Sequence, residues 1–370
     1  MSMKKQLAVA LSIAVTGVVS AANIERTSQS VGILFEVGRY AEFSIGSASP
    51  SVSGVAVAGT PGVSSGNMAS DYSSVSLGYK QSIGNNFDVA LIIDEPVGAN
   101  VKYPGGNGYL IGGSTATLDS TAITGLIKYK YPNNVSVYGG IRSQSLGGKV
   151  HLEQLGSPSY DLTVGQKHEL GYVAGFAYEK PEIALRAALT YNSEIKHDFG
   201  DVLEQGGASL PFSSTIPQSV NLEFQSGVAK DTLVFGSIRW VEWSKFNIAP
   251  YGYGLATGGS SLVDYGNDST AYNIGVGRKL NDKWSAAVSL GYEPSTAGTC
   301  NRTPPATGCT GNLGPTDGSK SIGIGVSYKM KKAKITAGVR YVKVGDAQTS
   351  FADFKDNSAV GFGVKVGYNF

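Results

Sequence analysis

From Val360 to Phe370 the chain alternates with a period of two: Val360, Phe362, Val364, Val366, Tyr368 and Phe370 are interleaved with Gly361, Gly363, Lys365, Gly367 and Asn369. Successive side chains of a strand point to opposite faces, so this segment carries one continuous apolar face and one small or polar face. Alternation over about ten residues, closed by a C-terminal aromatic, predicts a strand with one face in lipid and the other in a barrel lumen.

The pattern recurs along the chain. Val135, Val137 and Ile141 oppose Ser136, Tyr138, Gly140 and Arg142, while Ile183, Leu185, Leu189 and Tyr191 oppose Arg186, Thr190 and Asn192. Trp284, Val288, Leu290 and Tyr292 oppose Ser285, Ser289 and Glu293; Ile322, Ile324, Val326 and Tyr328 oppose Ser321, Gly323, Ser327 and Lys329. Reading every segment this way gives about 14 strands. Short turns at 84–86, 132–134, 180–182, 229–231, 281–283 and 331–333 carry Gly, Pro, Asn, Asp or charged residues. Long loops are expected near 48–70, 104–114, 148–167, 196–215, 247–268, 295–319 and 346–356. The fold class that follows is all-β, a transmembrane antiparallel up-and-down β-barrel with both termini on the short-turn, periplasmic side. A soluble sandwich would wet its outer face and use shorter strands. A β-helix would repeat at about 20 residues, and no such repeat is found.

The front of the chain fits export. Lys4 and Lys5 precede an apolar run from Leu7 to Val19 and the small residues Ser20, Ala21 and Ala22, the layout of a secretory signal, here placed at 1–21. That run is shorter than the about 20 residues of a membrane-spanning helix, and no later segment is as apolar. Charged residues make up 16% of the chain and glycine supplies 50 of 370 positions, respectively below and above ordinary globular usage of about 25% and about 7%. A net charge of +2 gives no basic stripe for nucleic acid. Cys300 and Cys309, the sole cysteines, lie in a Pro/Gly/Thr-rich stretch. In an oxidising compartment a loop disulfide is expected, contributing roughly 2 to 3 kcal/mol. A zinc site would need further ligands, and His151, His168 and His197 are scattered. No metal or cofactor is expected.

Candidate chemistry is sparse. Gly62-Val63-Ser64-Ser65-Gly66 matches G-x-S-x-G, but a nucleophile elbow needs a strand before it and a helix after it, and this string lies in a Gly/Ser-rich loop. Asp94 and Glu95 are adjacent, so on a strand they face opposite ways. The lumen is the remaining site. In Thr232 to Phe246, Arg239 would cost about 2 to 4 kcal/mol facing lipid, so its face, with Leu233, Phe235 and Trp243, is assigned to the lumen and reads as apolar. A lumen simply filled by side chains is the competing reading. Arg142, Arg186, Arg239 and Arg340 face inward, available either to an anionic head group or to pairing with Glu223 and Glu293. Pro96 cannot donate to a ladder, so it marks either a bulge or gap in the wall or a rim residue beyond the strand.

Pro217-Gln218-Ser219-Val220-Asn221-Leu222, the run Arg239-Trp240-Val241-Glu242-Trp243-Ser244-Lys245-Phe246, Pro96-Val97-Gly98 and the closing Gly367-Tyr368-Asn369-Phe370 together resemble the FadL/toluene-channel family of outer-membrane transporters, from about Tyr40 onward. The resemblance implies an occluded 14-stranded barrel at 39–370, capture of substrate by external loops, an apolar lumenal site and sideways release beside an inward kink. On this reading Leu233, Phe235, Arg239, Trp243, Phe246 and Arg142 bind substrate, and Pro96 and Gly98 form the kink. The family's long hatch with its Asn-Pro-Ala motif is missing. What remains is a shortened hatch at 22–38 in which Ile33, Leu34 and Phe35 form the plug. The implied function is passive uptake of hydrophobic small molecules, long-chain fatty acids or aromatic hydrocarbons, across the bacterial outer membrane. Outer-membrane lipid, lipopolysaccharide and, through the last strand, the barrel-assembly machinery are the expected partners. A polar-solute porin and an outer-membrane lipid hydrolase using Ser64 are the alternatives.

Overall fold

The computed structural model describes residues 24–205, 209–303 and 306–370; the signal segment assigned to 1–21 lies outside them. Fourteen antiparallel wall strands close into one barrel. They are β1 (Tyr40–Ser51), β2 (Tyr72–Ile83), β3 (Phe87–Asp94, resumed at Gly98–Lys102), β4 (Thr115–Lys130), β5 (Val135–Gln154), β6 (Ser157–Lys180) and β7 (Leu185–Asn192). The second half comprises β8 (Ser219–Ala229), β9 (Thr232–Val241), β10 (Ser269–Lys279), β11 (Trp284–Glu293), β12 (Ser319–Lys329), β13 (Ala333–Val344) and β14 (Ser358–Asn369). Closure comes from β1 against β14, in unbroken register from Tyr40↔Asn369 to Ser51↔Ser358. The C-terminal strand that announces the fold is therefore also the seam that seals it.

The two faces are as the alternation requires. Ile141 is 63% exposed, Ile324 59% and Phe362 48%, while their neighbours Arg142, Gly325 and Gly363 turn inward. Rows of bare Ile, Val, Leu, Phe and Tyr around a whole cylinder would be a severe liability in water and are the natural surface in hydrocarbon. No helix among the described residues is long and apolar enough to cross a membrane; the single α-helix, Tyr251–Thr257, belongs to a loop.

The short turns lie where expected, but stretches expected as long loops carry paired strands: in 196–215, Ile195–Phe199 pairs with Phe212–Ile216 and Val202–Glu204 adds to β6. The stretch 148–167 is β-structure: β5 and β6 remain paired from Val135↔Tyr178 up to Gln154↔Ser157, turning at Leu155 and Gly156. The outward apolar alternation stops near the membrane rim, but the backbone ladder continues into water, where polar residues pair as well as apolar ones. On this projecting hairpin the His151 imidazole bonds Asp161 (2.7 Å) and Glu153 (3.4 Å). Those hydrogen bonds, led by that to Asp161, raise its pKa from the ordinary 6.5. A raised histidine pKa favours the folded hairpin below pH 6.5, and that benefit is lost as pH climbs through the raised value. An NMR titration should show His151 titrating above 6.5 and moving back toward it in Asp161→Asn; an unchanged midpoint would contradict the pairing.

At the long-loop end an apolar cap closes over the barrel. Tyr103, Tyr109, Leu118, Leu146, Phe199 and Phe354, contributed by strand extensions and loops, are buried together. Cys300 and Cys309 are disulfide-bonded, and Arg302 between them ties their loop to the one before β14 through Asp353 (2.6 Å) and the Thr349 carbonyl (2.8 Å).

Candidate functional site

The segment from Ile24 to Glu36 runs inside the barrel, and Val37 to Arg39 emerge from it. Gly32–Phe35 forms one 3-10 turn that buries Ile33 and Leu34 against inward Ala90, Leu126, Tyr138, Val173, Ala177 and Ala188. Small wall residues make the room. At Gly78 a Cβ would stand 2.5 Å from Ile33 Cδ1, so only glycine lets the turn lie this close to β2. Phe35 packs edge-on against Tyr138 and lies under the charged ends of Lys128 and Arg186.

Polar wall groups fasten the backbone of this segment. Lys80 Nζ donates to the carbonyls of Glu36 (2.8 Å) and Gly38 (3.1 Å), and Lys128 Nζ to that of Leu34 (2.6 Å). Both lysines are almost wholly buried and share Asp88, at 2.7 Å and 3.3 Å, with Lys130 also at 2.7 Å. Further along, Arg239 holds Glu25 through Nε (2.8 Å) and Nη2, and its Nη1 donates to Asn221 (2.6 Å) and Ser219 (3.1 Å). Ser30 donates to Glu223 (2.6 Å), Asn221 to the Ser28 carbonyl (2.8 Å), and Thr27 to Asp94 (2.8 Å). A charge buried on the wall is tolerable because it is met by the inserted segment, and the segment's carbonyls are satisfied in turn.

Between the inserted segment and the barrel wall lies a cavity of about 270 Å³. Most residues around it are polar, among them Ser44, Ser74, Ser76, Ser237, Ser289, Asn273 and Gln225, with Arg26, Arg186, Arg340 and Lys365 among its charges, yet the surface they expose to it is more apolar than polar. Ile33, Ile92 and Phe235 supply apolar surface.

One side of this cavity abuts a break in the wall. β2 and β3 pair only from Leu77↔Ile93 to Ile83↔Phe87, and the chains meet again at Ala69↔Val101, so no ladder pair joins 71–76 to 94–99. Strand β3 leaves the wall here: Pro96, Val97 and Gly98 are three consecutive buried positions, which regular alternation forbids. On its other side β3 keeps pairing with β4, from Asp94↔Ala122 to Gly98↔Asp119, with one extra residue in β3. Orphaned backbone groups within a membrane cost several kcal/mol each, and the inserted segment satisfies groups on the β3 edge of the break. The amides of Arg26 and Thr27 donate to the Pro96 carbonyl (2.8 Å and 3.4 Å), and Gly98 N–H donates to the Ile24 carbonyl (2.7 Å). Proline itself has no N–H to leave bare.

A family model described as "Outer membrane protein transport protein (OMPP1/FadL/TodX)" matches residues 40–370. The chain belongs to that family. It is an outer-membrane β-barrel transporter of the kind that carries hydrophobic compounds, and members of the family are transport channels. No curated protein sequence matches it. Among solved structures it is similar to a Pseudomonas aeruginosa FadL homologue (14% identity, 91% of this chain and 92% of that one, TM-score 0.72). It also resembles the Pseudomonas putida toluene transporter TodX (12%, 96% and 98%, 0.63) and the Ralstonia pickettii toluene transporter TbuX (14%, 94% and 92%, 0.59). At these identities the likeness concerns the fold.

Within this FadL-type barrel the residues singled out in the sequence are not all together. Phe235 faces the cavity, whereas Leu233 is 7% exposed and packs with Ala287, Ala184 and Phe235 itself. Trp243 and Phe246 lie beyond the end of β9, in and after the 3-10 turn Trp243–Lys245, packed against Tyr265 in the cap, edge-on and tilted respectively, at ring distances of 5.5 Å each. They are remote from the cavity lining. Arg239 is taken up by Glu25 rather than by the wall acids, and Arg142 donates from Nε to Thr124 (2.9 Å). The cavity joins the apolar surface of β9, through Phe235, to inward serines of β1, β2, β9 and β11. Those serines occupy inward positions of regular strands, so the alternation itself carried the signal. Ser64 bridges Val55 in an extended loop and its Oγ accepts from Gly66 N–H (3.1 Å), with no helix following.

Proposed function

We propose that this FadL-family channel takes up hydrophobic small molecules passively, through the apolar cap at the outer surface and the cavity beneath it, and releases them sideways through the interruption between β2 and β3. Both termini, the short turns and the plug then face the periplasm. The observation that carries this reading is the unpaired interval 71–76 against 94–99, lined on its inner side by Ser74, Val75, Ser76 and Asp94 of the cavity. A barrel for polar solutes has no need of a break in its wall, since its cargo leaves along the axis. The plug blocks that axial route at the short-turn end, and a hydrophobic solute that meets hydrocarbon at the break gains about 25 cal/mol for each Å² of apolar surface it keeps from water. Long-chain fatty acids and aromatic hydrocarbons are both ligands of this character. The final strand, with Tyr368 and Phe370 exposed at its end, is the segment offered to the barrel-assembly machinery, and lipid and lipopolysaccharide are the surroundings of the apolar exterior.

Bridging the break tests the route. Val75→Cys and Glu95→Cys, joined by a reducible bifunctional reagent, should abolish uptake of a hydrophobic substrate in cells, and reduction should restore it. Undiminished uptake by the cross-linked barrel would mean that the cargo leaves elsewhere.

A further inference from the structure

The strand pair Ile195–Phe199 and Phe212–Ile216 is separate from the barrel sheet and stands on the long-loop side of β6. Its register sets Ile195 opposite Ile216, His197 opposite Ser214 and Phe199 opposite Phe212. This face is turned inward: Ile195 packs on Gly171 of β6, while Phe199, Phe212 and Ile216 join the apolar cap. Two apolar rungs thus enclose a polar one. His197 is 0% exposed and Ser214 2%, and neither His197 Nε2 nor Ser214 Oγ has a hydrogen-bond partner among the described residues. Buried polar atoms ordinarily find partners, so the central rung is the weak course of this interface.

The other ring nitrogen is held. Two β6 residues, Gly165 and Gln166, face the single Gly147 of β5, and just past this bulge the Lys167 carbonyl meets His197 Nδ1 at 3.2 Å. A carbonyl only accepts, so Nδ1 carries the proton and Nε2 turns a bare lone pair into the interface. A second proton would put a full charge there. The charged neighbours are Lys167, His168 and Glu169 on β6 and Lys196 and Asp198 on its own strand; Phe212–Ile216 carries none, and Phe199 stacks on the ring at 6.2 Å. Glu169 pairs with Lys167 (3.6 Å), and Asp198, on the exposed face, is bonded to Ser213 (2.6 Å) and Lys196 (3.0 Å). In the adjoining stretch Asp201 is exposed and Glu204 accepts from Tyr160 Oη (2.7 Å) and the amides of Gly252 and Tyr253. Every nearby acid is thus engaged elsewhere or in water. Burial, outweighing the Lys167 carbonyl and Glu169, holds the His197 imidazole below the ordinary 6.5.

We propose that this strand pair is an acid-released flap: a second proton on His197 expels the imidazole from its seat and lifts Phe199, Phe212 and Ile216 off the cap, opening the outer approach to the barrel. The inference rests on the proposed channel function in treating the cap as an approach; the movement itself does not depend on it. A histidine depressed in the docked state favours docking above pH 6.5, and that advantage is lost as pH falls from 6.5 through the depressed value. His151 has the opposite sense, because its bonds to Asp161 and Glu153 favour the protonated ring. Acid therefore holds the β5–β6 hairpin while it releases the flap beside it.

Nitroxide labels at Thr215→Cys, on the outer face of the flap, and at Asn133→Cys, in a short turn at the far end of the barrel, report the movement by pulsed electron resonance. Cys300 and Cys309 are bonded to each other and take no label. One narrow distance is expected at pH 8 and a second, broad population at pH 5. His197→Gln, which cannot take the proton, should keep the pH 8 distance at pH 5. His197→Phe, which completes the apolar face, should do the same and decides the matter if His197→Gln fails to fold. A parent distribution unchanged between the two pH values, or a shift that persists in either folded variant, would overturn the flap while leaving the channel standing. Uptake of a neutral hydrophobic dye into vesicles carrying the barrel should rise about fivefold over the same interval in the parent alone. A flap that moves without altering uptake by a working channel would overturn its role at the entrance; one that moves in barrels carrying no dye at any pH would uphold the switch and overturn the channel reading.

Discussion

Removal of residues 24–38 should open the short-turn end of the barrel, raising the rate at which a polar thiol reagent labels Ser237→Cys by on the order of a hundredfold, the equivalent of about 3 kcal/mol of plug docking. Ser237 lines the cavity on β9, on the far side of the plug from the short turns. In the intact protein the approach is closed by Ile33 and Leu34 against the small residues of the wall and by the carbonyls of Leu34, Glu36 and Gly38 on Lys128 and Lys80. The barrel itself should survive, because every wall ladder from β1 to β14 is formed without the plug, and the cations left behind would be rehydrated by the water that enters. Heat-resistant migration on gels monitors that. An intact barrel labelled no faster than the parent would show that the segment does not seal the lumen.

Asp88→Asn should destabilise the barrel by about 3 to 5 kcal/mol, the cost of leaving buried charge without its partner. Asp88 is fully buried, and three lysines converge on it: Lys80 (2.7 Å), Lys128 (3.3 Å) and Lys130 (2.7 Å). Asparagine keeps the shape and one acceptor but removes the charge, leaving Lys80 and Lys128 as ammonium groups in a space with almost no solvent access. They also orient the plug, so the same substitution should speed labelling at Ser237→Cys. The measurement is the urea midpoint of unfolding in detergent; a loss below about 1 kcal/mol would mean that water reaches these lysines in the folded barrel.

The strands, their faces and the hairpin turns were legible because alternation is a local property, decided residue by residue by whether a side chain meets hydrocarbon. Inward placement of Phe235 and Arg239 followed from the cost of an arginine in lipid, an argument that needs one strand only. The serines of the cavity wall were legible too, in the inward positions of Ser44, Ser74, Ser237 and Ser289, but how much apolar surface lies between them depends on the packed structure. The β5–β6 hairpin was missed because beyond the membrane rim no apolar face marks the strand, and backbone pairing continues without one.

By itself, then, the sequence determined an outward-greasy closed barrel, its strand count and the position of a proline where the wall cannot be continuous. Only the tertiary structure decided which charges meet. Arg239 finds Glu25 across 214 positions and Glu223 finds Ser30 across 193. Threading the N-terminal segment through the lumen sets both contacts, and no periodicity encodes that path. The same threading brings Arg26 over the ring of Tyr72 and beside Gly98, at the break in the ladder.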